Sequence, residues 1–197
     1  MPIPLAIDFP KVEKPEIVID GTADEAAWGE AVEINQFVTY RPKPGRTPEQ
    51  TTIVRAMASE SALYIHFKAH DGDPSQIRRG LGRRDSRRSD DYVGLLLDLL
   101  GTGERAHLFI VNPLGVQMDG TLVRGQDNEL VPWRGSWSAW DTRWQSAGVV
   151  TGDGYQIEMA IPWASVRHPE SIDRAHVMFF RHVPRNGEMS SWPQLRP

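Results

Sequence analysis

Between Leu63 and His70 every second residue is apolar: Leu63, Ile65, Phe67 and Ala69 alternate with Tyr64, His66, Lys68 and His70. A period of two sends those sets to opposite faces of an extended strand, one toward a core and one toward water. The same period returns at Val93, Leu95, Leu97 and Leu99, where Leu96 on the second face predicts a central strand covered on both sides. Further strands are predicted over 16–19, 32–38, 51–58, 106–111, 116–122, 144–150, 155–161 and 176–183. Asn112-Pro113-Leu114-Gly115 and Thr151-Gly152-Asp153-Gly154 have the chemistry of hairpin turns, and the 17 Gly and 15 Pro supply many more breaks. Nine or ten short strands with turn-length gaps predict an all-β fold, a two-sheet antiparallel, jelly-roll-like β-sandwich. One short helix near the N-terminus is expected, because Thr22-Ala23-Asp24-Glu25 reads as a capping box ahead of Trp28, a plug for one end of the core. Residues 1–15, with four prolines, read as an extended leader or linker, and 16–197 as the sandwich.

Composition removes whole classes of function. Zero cysteines exclude a disulfide framework, a thiolate zinc site, an iron–sulfur cluster and a cysteine nucleophile. A net charge of −4 argues against a nucleic-acid partner, and the apolar stretch near 93–100 is far too short for a transmembrane helix. The chain opens without the basic start and apolar run of a secretory signal, as it also would after a signal had been removed. No nucleophile elbow, phosphate loop, zinc-protease run or marked pair of carboxylates is present, so a binding module is expected rather than an enzyme.

Several groups could carry binding. Trp133, Trp137, Trp140 and Trp144 fall within twelve residues; indole faces stack on the C–H faces of pyranose rings. Trp140 and Trp144 read as core anchors, and Trp133 and Trp137, beside Pro132 and Gly135, as ligand contacts. Asp71, Asp73 and Asp91 offer the hard oxygens that calcium prefers, although Asp71-Gly72-Asp73-Pro74 is equally a self-bonding turn. A calcium there would make the fold sensitive to chelators. Arg78, Arg79, Arg83, Arg84, Arg87 and Arg88 form a dense basic run, either a solvated loop or a site for acidic sugars, phosphate or an acidic partner. His66 and His70 share a strand face, where surface roles outweigh metal ligation.

In order and spacing the chain resembles the family 9 carbohydrate-binding modules and their DOMON-like β-sandwich relatives. The match is carried by Ile19-Asp20-Gly21 with Asp24-Glu25 and Trp28, Leu63-Tyr64-Ile65, Asp71-Gly72-Asp73-Pro74, and Asp90-Asp91 with Val93 and Asp98. It continues through Phe109-Ile110-Val111-Asn112-Pro113, Gly115-Val116-Gln117-Met118-Asp119, Trp140-Asp141, Tyr155-Gln156-Ile157-Glu158, Ile161-Pro162, and Arg181 with Glu188 and Trp192. The resemblance is to the family 9-like domain near the start of long bacterial cell-envelope proteins. It implies a noncatalytic sandwich that binds oligosaccharide or polysaccharide, with calcium holding loops, in the periplasm or cell envelope. Arg87-Arg88 stand where the family supplies one ring of its aromatic clamp, and Ile110 and Gly94 replace its basic and acidic partners, leaving Asn112 as the matching polar contact.

The expected sugar site is therefore a rim of Asn112, Gln117, Asp119, Arg181 and Trp192, with Trp133 or Trp137 reaching in. Asn112 and Gln117 flank one turn, and amides match vicinal hydroxyls; Arg181 either bonds a ring oxygen or pairs with Glu158 or Glu188. Two other readings stay open. A haem-binding electron-transfer domain would use Met118 as an axial ligand, and a structural domain would pack on a missing C-terminal region.

Overall fold

The computed structural model describes residues 5–86, 89–123, 140–166 and 175–194. Twelve strands occur among them: β1 (Leu5–Ile7), β2 (Val32–Ile34), β3 (Val38–Arg41), β4 (Thr52–Ala58), β5 (Ala62–His70), β6 (Tyr92–Asp98), β7 (Arg105–Val111), β8 (Gln117–Val123), β9 (Gln145–Thr151), β10 (Gly154–Pro162), β11 (Ala175–Val183) and β12 (Glu188–Trp192). They form two antiparallel sheets, one in the order β3-β12-β11-β6-β7-β8 with β1 added to β11, the other in the order β2-β4-β5-β10-β9. The alternation decides which side chains meet. Leu63, Ile65 and Phe67 from β5 and Val93, Leu95 and Leu97 from β6 all lie in the core between the sheets. On β6 the opposite face is buried as well: Tyr92 and Leu96 join Leu108, Ile110, Met118, Met178 and Phe180 in a second apolar layer outside the seven-stranded sheet.

Several elements differ from the sequence expectation. Residues 16–19 form no strand, because their neighbourhood is held by side chains: the Val18 N–H bonds Glu25 Oε1 at 2.8 Å, and the N–H groups of Asp20 and Gly21 bond Glu158 Oε2 at 3.0 and 2.9 Å. The expected helix is a five-residue 3-10 turn, Ala26–Glu30, preceded by Glu25 without a side-chain cap, since the Thr22 hydroxyl turns back to Asp20. Trp28 does not plug the core end. It lies outside the five-stranded sheet with Val12 and Met57, so the β5 face expected to be wet is partly covered and His66 is buried. Part of the expected leader is integral: β1 pairs with β11, and Pro10 and Val12 exchange backbone bonds with Ala58. The single strand expected over 32–38 divides into β2 and β3, which belong to different sheets. β12, with its two serines, carries too little alternation to stand out in sequence.

The chain's own loops cover the outer strands on one side. The Asp85 N–H bonds the Gln117 carbonyl at 3.0 Å and Asp85 Oδ1 accepts the Asp119 N–H at 3.2 Å, so the 83–86 turn lies along β8. On β9 the Ser146 hydroxyl bonds the Gly115 carbonyl at 3.0 Å, and a Cβ on Gly148 would stand 2.7 Å from the Pro113 carbonyl. The β7–β8 hairpin therefore rests against that strand.

Candidate functional site

At the β8 end of the seven-stranded sheet Gln117 and Asp119 meet around a protein side chain, Arg84, while Asn112 is bonded to the neighbouring Gly80 and Asp90. Arg84 Nε bonds Asp119 Oδ1 at 2.8 Å, Arg84 Nη1 bonds Gln117 Oε1 at 3.1 Å, and Arg84 Nη2 bonds the Thr142 carbonyl at 2.7 Å. The guanidinium also lies 3.2 Å from Asp141 and over the Trp144 ring, 5.9 Å from its centroid. Asn112 is fully enclosed: its Nδ2 donates to the Gly80 carbonyl and to Asp90 Oδ2, and its Oδ1 accepts the N–H groups of Leu114 and Val116. A carboxamide with all of these partners has nothing left for a sugar hydroxyl. These three residues thus hold the arginine-rich loop on the sheet. That loop is ordered by Arg84 at 79–86, which the basic run alone did not reveal; Arg87 and Arg88 lie outside the described residues.

Arg181 and Trp192 do not join that group. Two strands, β6 and β7, separate β11 from β8, and the Arg181 side chain points between the sheets. Its Nη1 bonds the Thr51 and His70 carbonyls at 3.0 and 2.8 Å, and its guanidinium lies over Tyr155. Its charge faces Asp71 at 3.7 Å, in place of the Glu158 or Glu188 pairing considered from sequence. With 1% of its surface exposed, Arg181 cannot meet a ligand in this fold. Trp192 is half-buried, stacked on Phe179 with centroids 6.2 Å apart. Trp133 and Trp137 lie outside the described residues.

The outer face of the seven-stranded sheet explains why Gly94 and Ile110 stand there. A Cβ on Gly94 would approach the Phe109 carbonyl to 2.4 Å and the Phe180 ring to 2.7 Å, so no acidic side chain fits. Ile110 and Met118 are packed in the same apolar layer, where Met118 fills space.

The three aspartates expected to hold calcium do not fit it. Both Asp71 oxygens are 2.9 Å from Arg185 Nη1, Asp73 Oδ1 binds the N–H and hydroxyl of Ser75 in its own turn, and Asp91 Oδ2 accepts the Arg78 N–H at 2.8 Å. Burial pushes the Asp91 carboxyl up to about 6. Among the described residues no three His, Asp or Glu side chains converge on one point.

Among the described residues a partly open surface lies at the seam between the two sheets, beside the segment that leads into β9. Trp144 is buried against Phe109, centroids 5.2 Å apart, as a core anchor. Trp140 packs on His107 at 4.4 Å and on Phe109 at 5.8 Å, yet is only partly buried. Next to it the Asp141 side chain is 80% exposed and bonded to Arg84, itself 29% exposed. A fixed indole beside an exposed carboxylate and guanidinium joins a flat apolar surface to hydrogen-bonding groups, the combination that pyranose recognition requires.

Comparison with known proteins agrees with this architecture. A family model described as carbohydrate family 9 binding domain-like matches residues 19–183. The chain is similar in structure to a family 9 carbohydrate-binding module from Caldicellulosiruptor kristjanssonii in complex with cellotriose, at 16% identity and a TM-score of 0.60, covering 92% of this chain and 81% of that one. A second structure of a family 9 module from that organism, in complex with glucose, aligns at 15% identity and a TM-score of 0.62, covering 92% and 84%. A candidate carbohydrate-binding protein from Bacteroides uniformis aligns at 14% identity and a TM-score of 0.71, covering 97% and 92%. At such identities the likeness is one of fold. No curated protein matches the chain.

Proposed function

Because the chain belongs to the carbohydrate family 9 binding domain-like family, a family of noncatalytic binding domains, we propose that it binds short gluco-oligosaccharides on the seam at Trp140. The observation that carries this reading is the partly exposed Trp140 ring, immobilised by His107 and Phe109 and flanked by Asp141 and Arg84. Aromatic stacking on a rigid ring costs little ordering entropy, and the neighbouring charged groups supply direction. The cellotriose and glucose complexes of the structural neighbours support the choice of ligand class. The resemblance to modules of long envelope proteins supports a periplasmic or envelope setting beside a larger partner region.

Isothermal titration of cellotriose and xylotriose into the wild type, Trp140→Ala and Trp192→Ala tests it. Binding by the wild type, weakened about tenfold or more in Trp140→Ala and unchanged in Trp192→Ala, is expected. Absence of heat with every sugar would remove the reading, and equal affinity in Trp140→Ala would remove this seam as the site.

A further inference from the structure

Arg185 sits in the turn between β11 and β12, yet its Nη1 reaches three oxygens of another loop: Asp71 Oδ1 and Oδ2, both at 2.9 Å, and the Asp73 carbonyl at 3.5 Å. A bidentate carboxylate plus a main-chain carbonyl around one centre is the oxygen set that a hard cation takes, at about 2.3 to 2.6 Å. We infer that the Arg185 guanidinium is this domain's built-in substitute for a loop-holding metal ion, so that the Asp71-Gly72-Asp73 loop is fixed without any divalent cation.

Three further observations agree. The Asp71 side chain is completely buried, so its charge requires a partner inside the protein. Arg181 Nη2 lies 3.7 Å from Asp71 Oδ2, and a doubly charged ion on the same carboxylate would be repelled by it. Of the remaining acids, Asp73 turns to Ser75 and Asp91 gives one oxygen to the Arg78 N–H; the one buried oxygen left without a hydrogen bond among them is Asp91 Oδ1, so displacing Arg185 would not gather a full ligand set. The same turn is tied down on its other flank, where Asn186 Nδ2 bonds Glu49 Oε2 and Glu188 Oε2 accepts the Glu49 N–H. Arg185 therefore approaches Asp71 from a fixed base, and little ordering is lost when the pair forms.

Thermal melts of the wild type in excess chelator and in millimolar calcium chloride are expected to agree within about 1 °C, since an ion that does not bind the fold cannot stabilise it. Arg185→Met, which keeps the bulk and drops the charge, is expected to melt roughly 6 to 15 °C lower in both buffers. Arg185→Lys should recover part of that loss. A wild type that loses several degrees on chelation, an Arg185→Met as stable as the wild type, or an Arg185→Lys no better than Arg185→Met would each overturn the inference. The two wild-type melts decide even if Arg185→Met fails to fold.

Discussion

Glu158 and Arg84 each hold a loop on the sandwich with one charged side chain, and they do it in opposite surroundings. Glu158 sits on the outer face of the five-stranded sheet, fully buried, and accepts only neutral donors: the N–H groups of Asp20 and Gly21 and the Trp28 indole N–H at 3.1 Å. Burial pushes its carboxyl above the usual range. Arg84 is partly exposed and faces carboxylates, with Nη2 2.6 Å from Asp119 Oδ2. Inside, the energy lies in donors that would have no alternative partner; at the rim it is divided between the buried Asp119 and the exposed Asp141, whose Coulomb attraction solvent and salt weaken. Two loops that look equally well fastened should therefore differ in how easily they are released.

The largest effect is expected from Glu158→Ala, which orphans three donors at once and should lower unfolding free energy by roughly 3 to 5 kcal/mol in urea titrations. A loss below about 1 kcal/mol would mean that the N-terminal loop relaxes to find water, and the contrast with Arg84 would collapse. Next comes Gly21→Ala. Gly21 has φ +100°, and a Cβ there would stand 2.8 Å from Val149 Cγ2, so about 2 kcal/mol should be lost if the loop must sit this close to β9. Arg84→Met should cost about 2 kcal/mol, because the Asp119 side chain it leaves behind is buried, and only the share owed to the exposed Asp141 should shrink in high salt. A salt-independent loss would place Arg84 among the interior ties instead.

The smallest effect concerns pH. Burial holds His66 neutral, its imidazole lowered to about 4, so its contribution is present above 6.5 and is lost as pH falls toward 4. Asp91 runs the other way: raised to about 6, it favours the folded state most below its ordinary value of 3.8 and loses that contribution as pH rises through 6. Between pH 7 and 5 the two oppose each other. Asp91→Asn should expose the fall due to His66 and to the equally lowered His182 as a steeper drop in melting temperature on acidification; a profile parallel to the wild type would show that Asp91 does not titrate in this window.

The strands were the legible part. β5 and β6 follow directly from side-chain alternation, and Leu96 correctly signalled a sheet covered on both faces. Trp144 as a core anchor was legible for the same reason, since a large ring on an apolar face has few other places to go. The polar contacts were not. Asn112 and Gln117 could be placed at one sheet end from their turn, but nothing periodic announces that Arg84 comes from 33 residues away to occupy Gln117, or that Glu158 serves a loop 138 residues distant. Asp71 showed the same gap: its residue type suggested a metal ligand, and only the fold shows both of its oxygens bonded to Arg185 from 114 residues away. The partly open Trp140 emerged only from the packing, because sequence treats it like Trp144.

The loops that run along β8 and β9 have a consequence for how such domains behave in company. An uncovered outer strand is a template on which a neighbouring chain can add its own strand, the first step of open-ended aggregation. Here Asp85 occupies backbone groups of β8, the β7–β8 hairpin lies against β9, and on the far side β2 and β3 are only three and four residues long. Copies brought close together would meet through surfaces that resist strand exchange, so they can crowd and still come apart again.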